Sequence, residues 1–94
     1  MQGKGKNTWP DGREYVGDWK DNLMDGEGVF MFSDGRKYTG GYLQNQKHGF
    51  GVFEWPEGKK YSGFWFEGYQ HGKGILIENG YEQEGEWYMG ELVE

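Results

Sequence analysis

The stretch His48–Trp65, "HGFGVFEWPEGKKYSGFW", holds four glycines, six aromatic residues and one proline. In it Gly49, Gly51, Phe53 and Trp55 alternate with other residues, and so do Tyr61, Gly63 and Trp65. A period of two places each set on one face of a β-strand. Between the two sets stands Pro56-Glu57-Gly58. Proline presets φ and glycine accepts positive φ, so this tripeptide reads as a tight turn. The stretch is strand, turn, strand, with rings and side-chain-free positions sharing a face.

The same reading recurs along the chain. Tyr15-Val16-Gly17-Asp18-Trp19 is followed 23 residues later by Tyr38-Thr39-Gly40-Gly41-Tyr42, and after 23 more by Tyr61-Ser62-Gly63-Phe64-Trp65. A Gly-x-Gly element keeps step at Gly26/Gly28, Gly49/Gly51 and Gly72/Gly74, as do turns at Pro10-Asp11-Gly12, Ser33-Asp34-Gly35 and Pro56-Glu57-Gly58. A fixed period of this length marks a repeat array. The expected units are a partial one over 1–14, three over 15–37, 38–60 and 61–82, and a truncated one over 83–94, all in a single domain. In the last, Gln83 stands where tyrosine is expected, and one residue is lost between Gly74 and Gly80.

No helical period competes, so the expected fold is all-β: an elongated, single-layer antiparallel meander of tandem hairpins, about eight strands and some 34 Å across at roughly 4.8 Å per strand. The link Lys20–Asp25 is expected to form a looser loop than the Pro-Asp-Gly turns. Glycines Gly17, Gly40 and Gly63, with Gly28, Gly51 and Gly74, are expected to form notches for aromatic rings. Tyr15, Tyr38 and Tyr61 would then stack in one row, and Trp19, Tyr42, Trp65 and Trp87 in another. Such burial is worth on the order of 1–3 kcal/mol per ring and must exceed glycine's entropic penalty of roughly 0.5–1 kcal/mol.

Composition narrows the function. The 94 residues include 19 glycines, 19% aromatics, two prolines and no cysteine. A ring-rich chain of this kind is not a disordered one, and the absent cysteines exclude disulfides and thiolate metal sites. Neither a secretory signal nor an apolar run long enough for a helical span is present, so a cytoplasmic setting is the expectation. The net charge of −6 is uneven: all ten Lys and Arg precede Gly74, while Glu78, Glu82, Glu84, Glu86, Glu91 and Glu94 follow it. That end repels phosphate backbones, so no nucleic-acid partner is expected.

Tyr-x-Gly-x-Trp, Gly-x-Gly and the 23-residue step together resemble the MORN (membrane occupation and recognition nexus) repeat over nearly the whole chain. The resemblance implies an elongated sheet with a groove, without catalysis of its own. It also implies a scaffold or adaptor subunit in cytoskeletal, ciliary or membrane-cortex assemblies, or an accessory segment of a larger enzyme. Phosphoinositide binding is a further role proposed for such arrays.

Two surfaces are candidates for partners. On the face away from the repeat rings, apolar content rises along the chain to Leu43, Phe50, Val52, Phe64, Phe66, Ile75 and Ile77, an apolar strip suited to a protein partner. Along the turn edge, Arg13, Arg36, Lys37, Lys59 and Lys60 recur at matching positions, as an anionic-lipid surface would require, with Asp11, Glu14, Asp34 and Glu57 beside them. Open array ends also permit pairing between copies. Catalytic, cofactor and metal sites are not expected. His48 and His71 are one unit apart and read as loop residues, the residues around Asp21 and Asp25 lack EF-hand spacing, and Gly-x-Gly recurs without the lysine and helix of a phosphate loop.

Overall fold

A computed structural model describes residues 3–93, so Glu94 of the acidic set lies outside the described residues. Among the described residues nine strands run in chain order: β1 Gly3–Thr8, β2 Glu14–Lys20, β3 Leu23–Met31, β4 Lys37–Leu43, β5 Gln46–Glu54, β6 Lys60–Phe66, β7 Tyr69–Glu78, β8 Tyr81–Tyr88 and β9 Glu91–Val93. Each pairs antiparallel with the next in one open sheet, with principal extents of 40 × 24 × 16 Å. The meander is as expected, with the short β9 as a ninth strand.

Two kinds of turn alternate. At the proline-type end, Trp9, Phe32 and Trp55 each open a three-residue loop. The Trp9 amide donates to Arg13 O (2.9 Å), and the Gly12 amide donates back to Trp9 O (3.0 Å). Gly12, Gly35 and Gly58 close these loops at φ of about +100° (100, 99 and 100), where a β-carbon is strained. The residue lost in the fourth unit changes the turn type: β7 and β8 join through Asn79-Gly80 alone, both at positive φ (54 and 80). Asn-Gly is the preferred pair for such a two-residue hairpin.

The opposite end corrects the expected loose loop. Strands β2 and β3 are joined by two residues, Asp21 and Asn22, at φ of 52 and 65. The extra length is absorbed within β3. Gly17 pairs with Gly28 and Trp19 with Met24, so Asp18 faces the three residues Asp25–Glu27 across a wide bulge. The same shift recurs between Gly40 and Tyr42 and between Gly63 and Trp65. These turns also tie each hairpin to the one before. Asn45 N–H donates to Met24 O (2.9 Å), Gly68 N–H to Lys47 O (3.0 Å) and Gly90 N–H to Gln70 O (2.8 Å).

The core is a single layer of rings on one face. Tyr15, Tyr38 and Tyr61 are fully buried, and Phe30, Tyr42, Phe53, Trp65 and Trp87 nearly so. The notches at Gly28, Gly51 and Gly74 are each filled by the tyrosine of their own hairpin, while Gly17, Gly40 and Gly63 are closed chiefly by the backbone of the glycine facing them. A β-carbon on Gly28, Gly51 or Gly74 would overlap the hydroxyl of Tyr15, Tyr38 or Tyr61 respectively. The hydroxyls end on backbone carbonyls, Tyr15 on Asp18 O (3.0 Å) and Tyr38 on Gly41 O (2.9 Å), which meets the requirement that a buried polar group be paired.

The two expected rows of rings are instead one zigzag. Trp19 meets Tyr15 at 5.1 Å between centroids, Tyr15 meets Tyr42 at 5.4 Å, and Tyr42 meets Tyr38 at 5.2 Å. Tyr38 then meets Trp65 (5.5 Å), Trp65 meets Tyr61 (5.2 Å) and Tyr61 meets Trp87 (4.9 Å). All six contacts are edge-to-face, at 80–88°. The quadrupole of an aromatic ring favours this geometry over face-on stacking, and a pair so arranged contributes about 0.5–1.5 kcal/mol beyond burial. Every second contact crosses from one unit to the next, so the zigzag carries cohesion along the array.

Candidate interaction site

Strand alternation sends the seven apolar candidates to the face away from the ring layer. Phe50, Phe64 and Phe66 are 54, 49 and 42% exposed, and Leu43 is 45% exposed. Val52, Ile75 and Ile77 are partly buried by their neighbours. Register brings them together: Phe50 pairs with Phe64, and Ser62, between Val52 and Ile75, completes one row across β5, β6 and β7. The Phe50 and Phe64 rings meet edge-on at 5.6 Å. Phe66 lies between His48 (5.8 Å) and His71 (5.5 Å), so the two histidines flank a ring. Leu43 stands two strands away from Phe66, across β5, and shares a small hollow with it.

The strip has a charged border. Ile77, Ile75 and Lys73 pair with Glu82, Glu84 and Glu86 of β8. None of these glutamates is ion-paired among the described residues. A shallow hollow of about 640 Å³ opens here between Phe50, Ser62, Ile75, Lys73, Glu84 and Glu86.

The basic positions of the turn edge do not form one row. Lys37 and Lys60 precede the buried Tyr38 and Tyr61 and therefore point to the opposite face, toward Glu54, with which both pair in register. Arg13 lies over the Trp9 ring (5.2 Å), Arg36 over Phe32 (4.6 Å) and Lys59 over Trp55 (4.8 Å). Both arginines are also held by their turn aspartates, Arg13 Nε to Asp11 and Arg36 Nε to Asp34, each at 2.8 Å. Hydrogen bonds from the arginine backbone and side chain hold Asp11 and Asp34 below the usual carboxylate range. These bases staple the turn to the ring layer.

On the ring face lies a groove of about 690 Å³, walled by Trp9, Trp19, Phe30, Phe32 and Tyr42, with Lys47 in its lining. Lys47 is absent from the sequence-derived candidates. The turn expected over Lys20–Asp25 places the equivalent positions of later units in a loop, whereas the structure places Met24, Lys47 and Gln70 in strands opposite Trp19, Tyr42 and Trp65. Reading two-residue turns into the positive-φ-tolerant pairs Asp21-Asn22 and Gln44-Asn45 would have exposed this series.

An open antiparallel sheet of ring-filled tandem hairpins defines a β-repeat protein. The MORN repeat family matches residues 1–12, 15–35, 38–60 and 61–80, and the chain belongs to that family. A comparison with curated protein sequences finds no match.

Proposed function

We propose that this MORN-repeat array is a non-catalytic, protein-binding segment of a larger assembly, and that the strip on the face away from the rings is its contact surface. The observation that carries the proposal is the exposure of Phe50, Phe64 and Phe66 (54, 49 and 42%) side by side on a regular sheet, next to Ile75 and Ile77. A contiguous apolar patch in water is the usual mark of a surface that another protein covers. The unpaired Glu82, Glu84 and Glu86 beside it favour a partner that is apolar at its centre and basic at its margin. The same acids oppose an anionic bilayer, and the basic turn edge is already occupied by its own aspartates and rings. A cytoplasmic setting, in a cytoskeletal, ciliary or membrane-cortex assembly, is part of the proposal, and the family membership is what suggests it.

The test is a pull-down with the wild-type array, Phe64→Asp, and Lys59→Glu/Lys60→Glu, alongside co-sedimentation with phosphoinositide-containing vesicles. Loss of captured protein with Phe64→Asp only, and no vesicle binding, is the expected result. Vesicle binding abolished by the lysine changes would instead establish a peripheral membrane adaptor.

A further inference from the structure

We infer that the ring-face groove binds an acidic peptide segment and that Lys47 anchors its carboxylate. The inference concerns the opposite face from the strip and stands independently of the proposal above.

Consider the series Met24, Lys47, Gln70, one residue per hairpin, each paired with the second ring of its Tyr-x-Gly-x-Trp element. In the first hairpin the position holds a methionine that is only 8% exposed, so the fold accepts an apolar side chain there. In the second it holds a cation. The Lys47 ammonium lies 5.8, 5.8 and 5.4 Å from the ring centroids of Tyr38, Phe53 and Trp65. Ring faces replace part of its hydration. They do not neutralise it, and among the described residues no carboxylate lies within ion-pair distance. Desolvation first, and Arg36 second, lower its affinity for a proton.

Lys47 also lines the ring-face groove, whose other lining has a matching character. Among the described residues no Asp or Glu lines it, in a chain that has sixteen. Arg13, its other cation, is already bound to Asp11. The polar groups of the lining are the side-chain amides of Asn7, Asn22, Asn45 and Gln46. Amides donate and accept, as a peptide main chain does. The rings of Trp19, Phe30 and Phe32 offer an apolar wall, and the volume of about 690 Å³ falls in the range of pockets that enclose a small organic ligand or a few residues. A segment bearing one apolar side chain and one carboxylate satisfies all three: ring wall, amide rim and unpaired ammonium. A carboxylate reaching Lys47 forms a charge-assisted hydrogen bond in a partly desolvated setting, where such bonds are strongest.

The experiment uses three probes: a blocked hexapeptide of alternating Glu and Leu, its Gln-Leu analogue, and phosphatidylserine vesicles. Binding is read by amide and indole chemical shifts of the whole chain. The Glu-Leu peptide should shift the Trp19 and Trp65 indole signals saturably. The Gln-Leu peptide, and Lys47→Met with the Glu-Leu peptide, should bind about tenfold more weakly, as expected for the loss of one charge-assisted bond. Lys47→Met places here the side chain found at position 24 and should fold with an equal or higher unfolding midpoint; Lys47→Gln, copying position 70, is the second variant. Equal binding by the variants or by the Gln-Leu peptide overturns the inference. So do shifts confined to Phe64 and Ile75, no saturation at millimolar peptide, or capture of vesicles in place of peptide.

Discussion

The hydroxyl of Tyr38 occupies the space where a β-carbon of Gly51 would stand. The two residues lie on neighbouring strands of one hairpin, with Gly40 paired to Gly51 beneath the ring. The same relationship joins Tyr15 to Gly28 and Tyr61 to Gly74. A ring laid flat on backbone gains burial that no side chain at the glycine could match, and this one contact, repeated, builds the core.

Gly51→Ala should therefore destabilise the protein by about 2–3 kcal/mol, the upper part of the usual overpacking range, because the ring has no alternative slot. Gly49→Ala provides the contrast. Its β-carbon would meet nothing within 4 Å, and only its φ of +80 is unfavourable. That change should cost about 1–2 kcal/mol. Urea unfolding of both variants checks the ordering, and equal losses would refute the notch.

Alkali should dismantle the ring layer. Burial pushes the hydroxyls of Tyr15 and Tyr61 up to about 12, and those of Tyr38 and Tyr42 also upward. An unfolded tyrosine titrates near about 10. The folded state thus favours the neutral form, so this contribution is complete below about pH 10 and is lost as pH rises through about 12. Tyrosinate absorbance and circular dichroism recorded together should show ionisation of the buried group coinciding with loss of sheet.

Asn45 does two jobs that substitution can separate. Its φ is 71, and its Oδ1 accepts the Met24 amide at 2.8 Å while its own amide donates to Met24 O. Asn45→Gly keeps the backbone conformation, as Gly68 does at the next turn, and should cost about 1 kcal/mol for the lost acceptor. Asn45→Ala loses the acceptor and the tolerance of positive φ, and should cost about 1 kcal/mol more. Thermal unfolding midpoints of the pair decide it.

The two faces should respond differently to charge. Phe64→Asp removes one member of an exposed cross-strand pair, worth about 0.2–1 kcal/mol, and the fold should persist. Phe30→Asp places a carboxylate where the side chain is only 7% exposed among Trp9, Tyr15 and Phe32, and the chain should fail to fold. Far-ultraviolet circular dichroism distinguishes these outcomes, and folding of Phe30→Asp would contradict the single-layer core.

Most of the architecture was legible because its cause is local. Alternation at Gly49, Gly51, Phe53 and Trp55 is a property of adjacent residues, and the tripeptides ending in Gly12, Gly35 and Gly58 carry their own turn chemistry. The apolar strip was legible for the same reason, since alternate positions go to opposite faces. Misreading Lys20–Asp25 as a loop had one cause: the bulge opposite Asp18 interrupts the period of two, and only the pairing of Trp19 with Met24 reveals that the strand continues. That misreading also concealed Lys47.

The amino-acid order by itself determined that this chain is a repeated hairpin and which residues alternate between faces, because those follow from dihedral preference and period along the backbone. Only the tertiary structure decided that the rings interlock edge-to-face in a zigzag, that the arginines of the turns fold back onto their own rings, and that Lys47 stands among aromatics with no acid paired to it among the described residues. Those outcomes depend on distances between units, set by strand register and by the quadrupoles of rings about 5 Å apart, which no spacing along the chain encodes.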